Sequence, residues 1–336
     1  MPSEQMPMAD VSVIMPAYRA GRTIQGALAS IARQTLKPTE VIVVDDGSDD
    51  GTADAARAMA GALAPIALHV MVQGNRGAGA ARNRAIEKAA CAYVAFLDAD
   101  DEWMEEKLAR SMAHLDGTDT ILVAHDAIRR DPAGRQSLIE SSRHFHGAHD
   151  PYAALYRTGY IASLTVVAGK DAVRAAGGFD ETLAAAQDFD LWLKMLADPK
   201  ARFTVFPEAL AFYNVNESGI TSATARRLAC TLRVAMRHVG ALKSHPGSPL
   251  ASLAYRIGAV HFEAFSAFLK GGRALKALGV ILALSVQLPV LTMTYLIPNS
   301  LKAPLLWTWV TFAFALYAIQ FRGVAGQVLK LMGLGN

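Results

Sequence analysis

The sequence predicts an α/β fold with a mostly parallel, Rossmann-like central sheet flanked by helices, followed by a C-terminal helical region. Apolar runs alternate with segments of helical spacing through the first hundred residues, and two of these runs end in paired aspartates. Such alternation is typical of βαβ units. Strands of a parallel sheet are buried on both faces, which explains why they are continuous apolar runs.

Each element is marked by its own pattern. The first helix has Ile24, Leu28 and Ile31 at helical spacing, and the second is Ala-rich, with Ser48 and Thr52 among its candidate caps. The strands are rich in β-branched residues, which favour extended structure. The predicted strands are residues 11–18, 40–48, 66–73 and 92–100, and the predicted helices are 23–35, 52–63, 78–90 and 104–115.

Composition excludes several classes of protein. The chain has 336 residues and a mildly basic formal net charge of +3, with no dominant run of Lys or Arg, so nucleic acid binding has no strong electrostatic support. Cys91 and Cys230 are far apart and form no C-x-x-C, which argues against a disulfide framework or a zinc site and favours a reducing compartment. The segment MPSEQMPMAD lacks the features of a secretory signal.

Two predicted strands end in carboxylate pairs, Asp45 with Asp46 and Asp98 with Asp100. In open α/β sheets, ligands bind beyond the carboxyl ends of the strands. Four carboxylates at one edge would repel each other unless a divalent cation or the donor groups of a ligand lay among them. The alternative is that these aspartates are turn residues and helix caps in solvated loops.

Six motifs in order resemble the family 2 glycosyltransferases of the GT-A fold, over roughly residues 10–215. The order of the set, rather than any single motif, carries the resemblance. They are VSVIMPAYRA at the start, VIVVDDGSDDGT at 41–52, NRGAGAARN at 75–83, FLDADDEW at 96–103, GGFDE at 177–181 and QDFDLWLKM at 187–195.

The resemblance implies a nucleotide-diphosphate sugar donor, with a UDP-sugar expected, and a bound Mn²⁺ or Mg²⁺. Asp100 would be the direct metal ligand, and Asp98 the partner of the ribose or of metal-bound water. Strand alternation would place both on one side, with Ala99 pointing away. The residues expected to contact the donor are Pro16 and Tyr18 around the base, Asp46 as an acceptor from the base, and Arg82.

The resemblance also places the general base of an inverting transfer at Asp188. Asp190 is a competing candidate two residues later, about 200° around a helix, so only one of the two can face the site. Both could instead be acidic residues that the dipole of a helix N-terminus favours. The family usually has Glu at the position of Gln187, and Asn214 and Asn216 stand where Arg and His are common.

Three histidines, His144, His146 and His149, lie close together. Their spacing is not that of a helical zinc site, and we interpret the stretch as a mobile loop on the acceptor side.

The C-terminal part contains two uncharged stretches, residues 277–297 and 303–321, of about the length that spans a bilayer. Basic residues flank their outer ends, which predicts a hairpin with both ends on the cytoplasmic face of the cell membrane. Helices packed on the catalytic domain or lying in the interface are alternatives. The predicted domains are a catalytic domain at 10–220, a helical connector at 221–276 and a membrane-associated tail at 277–336.

The leading hypothesis is an inverting, metal-dependent glycosyltransferase that moves one sugar onto a lipid-linked or polysaccharide acceptor in cell-envelope glycan synthesis. The Q-x-x-R-W motif of the family's processive synthases is absent from the sequence, so one sugar per encounter is expected. A sugar-phosphate nucleotidyltransferase and a non-catalytic, transferase-like scaffold are the alternatives.

Overall fold

The computed structural model describes residues 8–215 and 220–296. Strands and helices alternate through its first hundred residues, as the sequence predicts. These elements are β1 (Met8–Ala17), α1 (Ile24–Ala32), β2 (Lys37–Asp45), α2 (Thr52–Arg57), α3 (Ala60–Leu63), β3 (Ala67–Val72), α4 (Ala78–Lys88) and β4 (Tyr93–Phe96).

Two predicted elements differ most clearly from the structure. The helix predicted over 52–63 is two short helices, α2 and α3, although no glycine or proline interrupts residues 58–59. The strand predicted over 92–100 ends at Phe96, because the chain turns at Asp98, whose carbonyl accepts from the N–H of Asp101 at 3.1 Å. Strand alternation therefore gives no support to the predicted orientations of Asp98, Ala99 and Asp100.

Residues 102–214 add five strands, which complete the sheet, and five helices. In chain order these elements are β5 (Glu102–Trp103), α5 (Lys107–Ala113), β6 (Thr120–Arg130), β7 (Gln136–Ile139), α6 (Ser141–His146), α7 (Pro151–Thr158), β8 (Val167–Gly169), α8 (Lys170–Ala175), α9 (Gln187–Met195) and β9 (Arg202–Asn214).

The sheet has the strand order β3-β2-β1-β4-β8-β6-β9-β5, with β7 paired to β6. The pairs among β3, β2, β1 and β4 are parallel, as is β6 with β9. β8 runs antiparallel to both β4 and β6, and β5 and β7 are also antiparallel to their neighbours. The prediction of a mostly parallel sheet is therefore wrong for the second half, because the repeating βαβ pattern from which it was inferred stops after β4.

The direction of β8 decides which strand ends meet. Since β8 is antiparallel to β4 and β6 is antiparallel to β8, β6 runs in the same direction as β4, and β9 runs parallel to β6. The carboxyl ends of β1, β2, β4, β6 and β9 consequently lie along one edge. This is the edge at which open α/β sheets bind ligands.

The core explains why the first strands form. Val11, Val13, Val41 and Val43 have no exposed surface, as buried parallel strands require. On the other side of the sheet, the Trp192 ring of α9 lies 5.6 Å from Phe96 in an edge-to-face arrangement. This packing fixes α9 against the end of β4, beside the turn at Asp98.

The described part of the chain divides into two compact units, with the boundary between Arg256 and Ile257. The first unit also contains α10 (Ile220–His238) and the beginning of α11 (Pro249–Lys270). In the second unit, α11 continues and α12 (Ala274–Leu296) follows. In the part of the chain that the structure describes, no helix is both long and apolar enough to cross a membrane. The predicted stretch 303–321 and Asn216 lie outside the described residues.

Candidate active site

A cleft of about 1330 Å³ opens at the carboxyl edge of the sheet. The loop between β1 and α1, the turn after β4 and the ends of β6 and β9 form its walls. Its lining includes Tyr18, Arg22, Ala99, Asp100, Arg130 and Asn214. Of the residues predicted to bind the donor or metal, Tyr18 and Asp100 therefore line the cleft, and so does Ala99, which was expected to point away.

The turn after β4 is tied to the end of β9. Asp101 is almost fully buried and accepts a hydrogen bond from the N–H of Asn214 at 2.8 Å, and the Asn214 side chain donates to the carbonyl of Asp100 at 2.7 Å. Burial, with the nearby charges of Asp98 and Asp100, raises the pKa of Asp101 well above its usual range. These bonds hold the backbone of Asp100 at the cleft, and they give Asn214 a defined structural role.

Asp98 is held by an arginine rather than left open to the cleft. The Arg82 guanidinium, supplied by α4, donates to Asp98 Oδ1 at 2.6 Å and lies over the Phe179 ring at 5.3 Å. The Arg82 side chain is only 8% exposed. Burial lowers the pKa of Arg82, but the charges of Asp98 and Asp188 raise it by more, so the guanidinium stays charged.

Asp188 lies at the beginning of α9, close enough to Arg82 for its charge to raise the pKa of the guanidinium. Its Oδ2 accepts a hydrogen bond from Ser163 Oγ at 3.1 Å, and its Oδ1 accepts from the N–H of Phe189 at 2.8 Å. The side chain is half-buried. The structure thus brings together Asp98, Arg82 and Asp188, three of the predicted site residues, from segments that are far apart in the sequence.

Gln187 connects α9 to this cluster. Its side chain is buried, donates to the Leu183 carbonyl and accepts from Arg82 Nη1 at 3.5 Å. A Cβ at Gly79 would lie 3.2 Å from Gln187 Nε2, so glycine there lets α4 approach α9 closely. The glutamine at this position therefore makes specific contacts with both helices.

Asp190 faces away from this cluster. It has no exposed surface and lies 2.7 Å from Lys194 Nζ, 2.8 Å from Arg237 Nη1 and 2.8 Å from His238 Nε2. Burial raises its pKa, but the hydrogen bonds from His238 and Lys194 lower it by more. Because Asp190 is enclosed by three basic side chains, Asp188 is the better candidate for a base.

Arg237 also binds Asp180, at 2.8 Å. Burial raises the pKa of Asp180, but hydrogen bonds from Thr182 and Arg237 lower it by more, to about 2. A carboxyl group whose pKa is lowered on folding stabilises the folded state above its unfolded value, 3.8, and this contribution disappears as the pH falls toward about 2.

We expect Asp180→Asn to flatten the acid dependence of stability in that pH interval. Urea unfolding at a series of pH values would measure it as a smaller loss of unfolding free energy than in the wild type. Asp119→Asn removes a carboxylate from an exposed pair with Arg202 and is the control. Equal slopes for Asp180→Asn and the wild type would contradict the prediction.

Of the predicted site residues, Asp46 and Pro16 lie outside both the cleft lining and the cluster of Arg82, Asp98 and Asp188, which itself does not line the cleft. Asp46 is buried, and its oxygens accept from Gln73 Nε2 and from the N–H groups of Arg76 and Gly77, at 2.7–2.8 Å. Pro16 is buried in β1 opposite Val44 of β2. In this structure Asp46 positions the loop before α4, and contact with a base stays a prediction for both residues.

The histidine stretch is not a loop. His144 and His146 belong to α6, and the His144 ring stacks on Tyr160 with 5.8 Å between centroids. The prediction of a mobile loop is wrong there, because residues 141–146 form a helix after the β6–β7 hairpin. Among residues 8–215 and 220–296, no group of three His, Cys, Asp or Glu side chains is arranged to hold a metal ion.

Sequence reasoning missed two polar residues of this edge. Ser163 contacts Asp188, and Arg130 lines the cleft at the end of β6. The only available signal for Arg130 was its position after the apolar run of residues 121–124, at the end of a strand.

The sheet and the cleft at its carboxyl edge define a ligand-binding α/β domain. Comparison with known sequences identifies it further. The profile of Glycosyl transferase family 2 matches residues 12–168. The amylovoran biosynthesis glycosyltransferase AmsB of Erwinia amylovora is 31% identical over 219 residues, which cover 62% of this chain and 71% of AmsB. This chain belongs to glycosyl transferase family 2.

A second relative is the UDP-Glc:alpha-D-GlcNAc-diphosphoundecaprenol beta-1,3-glucosyltransferase WfgD of Escherichia coli. It is 26% identical over 222 residues, 65% of this chain and 82% of WfgD. Other curated glycosyltransferases align over shorter stretches, and this chain spans only 26–40% of the length of three of them.

Solved structures confirm a mixed α/β fold of the GT-A kind. TarS of S. aureus, in complex with UDP, has a TM-score of 0.59 at 22% identity, over 90% of this chain and 87% of that structure. The mannosyltransferase PcManGT of Pyrobaculum calidifontis, in complex with GDP-Man and Mn²⁺, has a TM-score of 0.57 at 21% identity, over 96% and 87%.

Proposed function

We propose that this protein is an inverting glycosyltransferase that moves one sugar from a nucleotide-diphosphate sugar to a lipid-linked or polysaccharide acceptor. The single observation that carries the proposal is the cluster of Asp98, Arg82 and Asp188 beside a cleft lined by Asp100. The names of AmsB and WfgD support a role in cell-envelope glycan synthesis, and that of WfgD supports a lipid-linked acceptor.

The chemistry assigned to Asp188 is general base catalysis. The acceptor hydroxyl oxygen forms a bond to the anomeric carbon as its proton passes to a carboxylate oxygen of Asp188. The bond from that carbon to the diphosphate breaks, and its electron pair leaves with the diphosphate. Ser163 and the Phe189 N–H would hold the carboxylate in place for this transfer.

The carboxylates at the turn after β4 fit a hard divalent cation. Asp100 and Asp98 offer two carboxylate ligands. Mg²⁺ and Mn²⁺ are commonly bound by one or two carboxylates together with substrate phosphates. Asp98 already accepts a hydrogen bond from Arg82, so Asp100 is the better direct ligand of the ion. When bound, such an ion would supply Lewis acid chemistry at the diphosphate.

We expect Asp100→Asn to lose the stabilisation that Mn²⁺ adds to nucleotide binding. For the wild type with Mn²⁺ and UDP or GDP at about 100 times the dissociation constant, binding raises the melting temperature by roughly 5–10 °C. The variant lacks the charged oxygen that would bind the ion, so it should show a much smaller increase. Differential scanning fluorimetry on chelator-treated protein, with and without added Mn²⁺, measures the difference.

The matched control is Asp131→Asn. Asp131 also lines the cleft, but its carboxylate binds Arg135 at 2.7 Å. This variant should keep the Mn²⁺-dependent increase. If Asp100→Asn showed the same Mn²⁺-dependent increase in melting temperature as the wild type, Asp100 would not be a metal ligand.

We also propose that the C-terminal region associates with the membrane through residues 277–321, on the cytoplasmic face. The support comes from the sequence, since residues 303–321 carry no charge and Arg322 follows them. Cell fractionation of the full chain and of a chain ending at residue 276 would test this. Equal distribution of both between membrane and soluble fractions would overturn it.

A further inference from the structure

Arg130 is a charged residue at the cleft that neither the sequence motifs nor the proposed mechanism uses. It is the last residue of β6 and pairs in register with Asn214 of β9. Its side chain lines the same cleft as Tyr18 and Asp100. The carboxyl end of β6 thus brings a guanidinium to the edge where Asp100 lies.

The guanidinium is held in a defined position. Its central carbon lies 4.1 Å from the centroid of the Phe212 ring, and Nη1 lies 3.4 Å from Asn214 Oδ1 and 3.7 Å from Glu102 Oε1. Both polar contacts recorded among the described residues use Nη1. The side chain is 31% exposed, so Nε and Nη2 keep donors for a ligand in the cleft. A stacked, partly ordered arginine loses little entropy when it binds.

The cleft lining contains three arginines, Arg19, Arg22 and Arg130. Arg19 and Arg22 are exposed on the loop between β1 and α1, and Arg19 is paired with Asp49, at 3.1 and 3.0 Å. Arg130 differs from both because it lies at a strand end and stacks on the Phe212 ring. Asp100 and Asp131 add negative charge to the lining, which disfavours a diphosphate unless cations offset it. The Asn214 side chain connects Arg130 to Asp100: it accepts from Arg130 Nη1 and donates to the carbonyl of Asp100.

We propose that Arg130 binds the diphosphate of the nucleotide sugar donor. The inference rests on the proposed function and adds a named residue to its donor site. A guanidinium matches phosphate oxygens in geometry as well as charge, and it offers two parallel donors. Asn214, the cross-strand neighbour, is uncharged, so the positive charge at this point of the edge comes from β6.

The experiment compares the binding of a nucleoside diphosphate with that of its nucleoside. Isothermal titration calorimetry of the wild type with UDP, GDP, uridine and guanosine first shows which base binds. In Arg130→Met, which keeps the length and apolar contact of the side chain, the affinity for the preferred diphosphate should fall about tenfold to a hundredfold. The affinity for the nucleoside should not change. The diphosphate affinity of Arg130→Lys should lie between those of the wild type and Arg130→Met, because lysine keeps the charge but not the paired donors.

Two controls separate ligand contact from structural support. Glu102→Gln removes the ionic partner of Arg130 but keeps its guanidinium, and Arg129→Met removes the neighbouring charge, which does not line the cleft. Both should bind the diphosphate like the wild type. Melting curves monitored by circular dichroism check that each variant is folded.

The outcomes are distinguishable. Unchanged diphosphate affinity in Arg130→Met would overturn this inference alone and leave the proposed function intact. An equal loss in Glu102→Gln, or an equal loss for the nucleoside, would also overturn it, because Arg130 would then act by supporting the fold. A wild type that binds no nucleoside diphosphate would overturn the proposed function and this inference with it.

Discussion

Asp188→Asn is expected to lower turnover about 10²–10⁴-fold while donor binding stays close to the wild type. Asparagine keeps the shape of the side chain and can still accept from Ser163, but its amide cannot take the proton of the acceptor hydroxyl. The loss should therefore be in kcat, because the missing interaction is needed in the transition state. Steady-state kinetics with a sugar nucleotide, together with calorimetric titration of UDP or GDP, would separate the two effects.

The matched control for this variant is Asp171→Asn. Asp171 is an exposed acidic residue in the first turn of α8, as Asp188 is in the first turn of α9. If these acidic residues only interacted with the helix dipoles, both variants would have the same turnover. Turnover in Asp188→Asn within a few-fold of the wild type would exclude Asp188 as the base. It would also favour a nonenzymatic or different catalytic role for the domain.

Asp190→Ala is expected to lower the free energy of unfolding by about 3–5 kcal/mol. The substitution leaves Lys194, Arg237 and His238 around a site that has lost its buried negative charge. The loss is costly because His238 is almost fully buried and Lys194 is largely buried, so both lose the carboxylate that offsets their desolvation, whereas Arg237 keeps Asp180. Urea unfolding at neutral pH would measure the change.

Asp54→Ala is the comparison for that measurement. Asp54 pairs with Arg57 at 2.8 Å on the surface, with its side chain 87% exposed, and such pairs contribute about 0–1 kcal/mol. A similar small change in both variants would show that the cluster around Asp190 does not support the fold. A large loss of turnover in Asp190→Ala without loss of stability would reopen the choice between Asp188 and Asp190.

The sequence predicts the first half of the sheet well, for a local reason. β1 and β2 are continuous apolar runs because they are buried on both faces, and the sequence itself displays that burial. The prediction fails at the end of β4. The apolar pattern continues through Leu97 and Ala99, but the strand ends at Phe96 and the chain turns at Asp98. The turn depends on contacts from Asn214, 113 and 114 residues away, which no local pattern shows.

In the candidate site, too, local sequence patterns predict some features and long-range contacts decide the others. The aspartates and Arg82 can be found from motifs, but their mutual arrangement depends on long-range packing. Gln187 and Arg82 are separated by 105 residues, and they meet because Gly79 lets α4 approach α9. Motifs therefore identified the candidate residues, whereas the contact of Asp98 with Arg82 and the isolation of Asp190 could not be predicted. The roles of these residues stay predictions.

The cluster at Asp190 has a consequence for how mutations far from the cleft would be tolerated. Arg237 of α10 holds Asp190 of α9 and Asp180 together, and α9 also carries Asp188 at its beginning. Substitutions of Arg237 should therefore be poorly tolerated, although this residue does not line the cleft. Variants of α10 that keep this arginine should keep α9, and with it Asp188, in place.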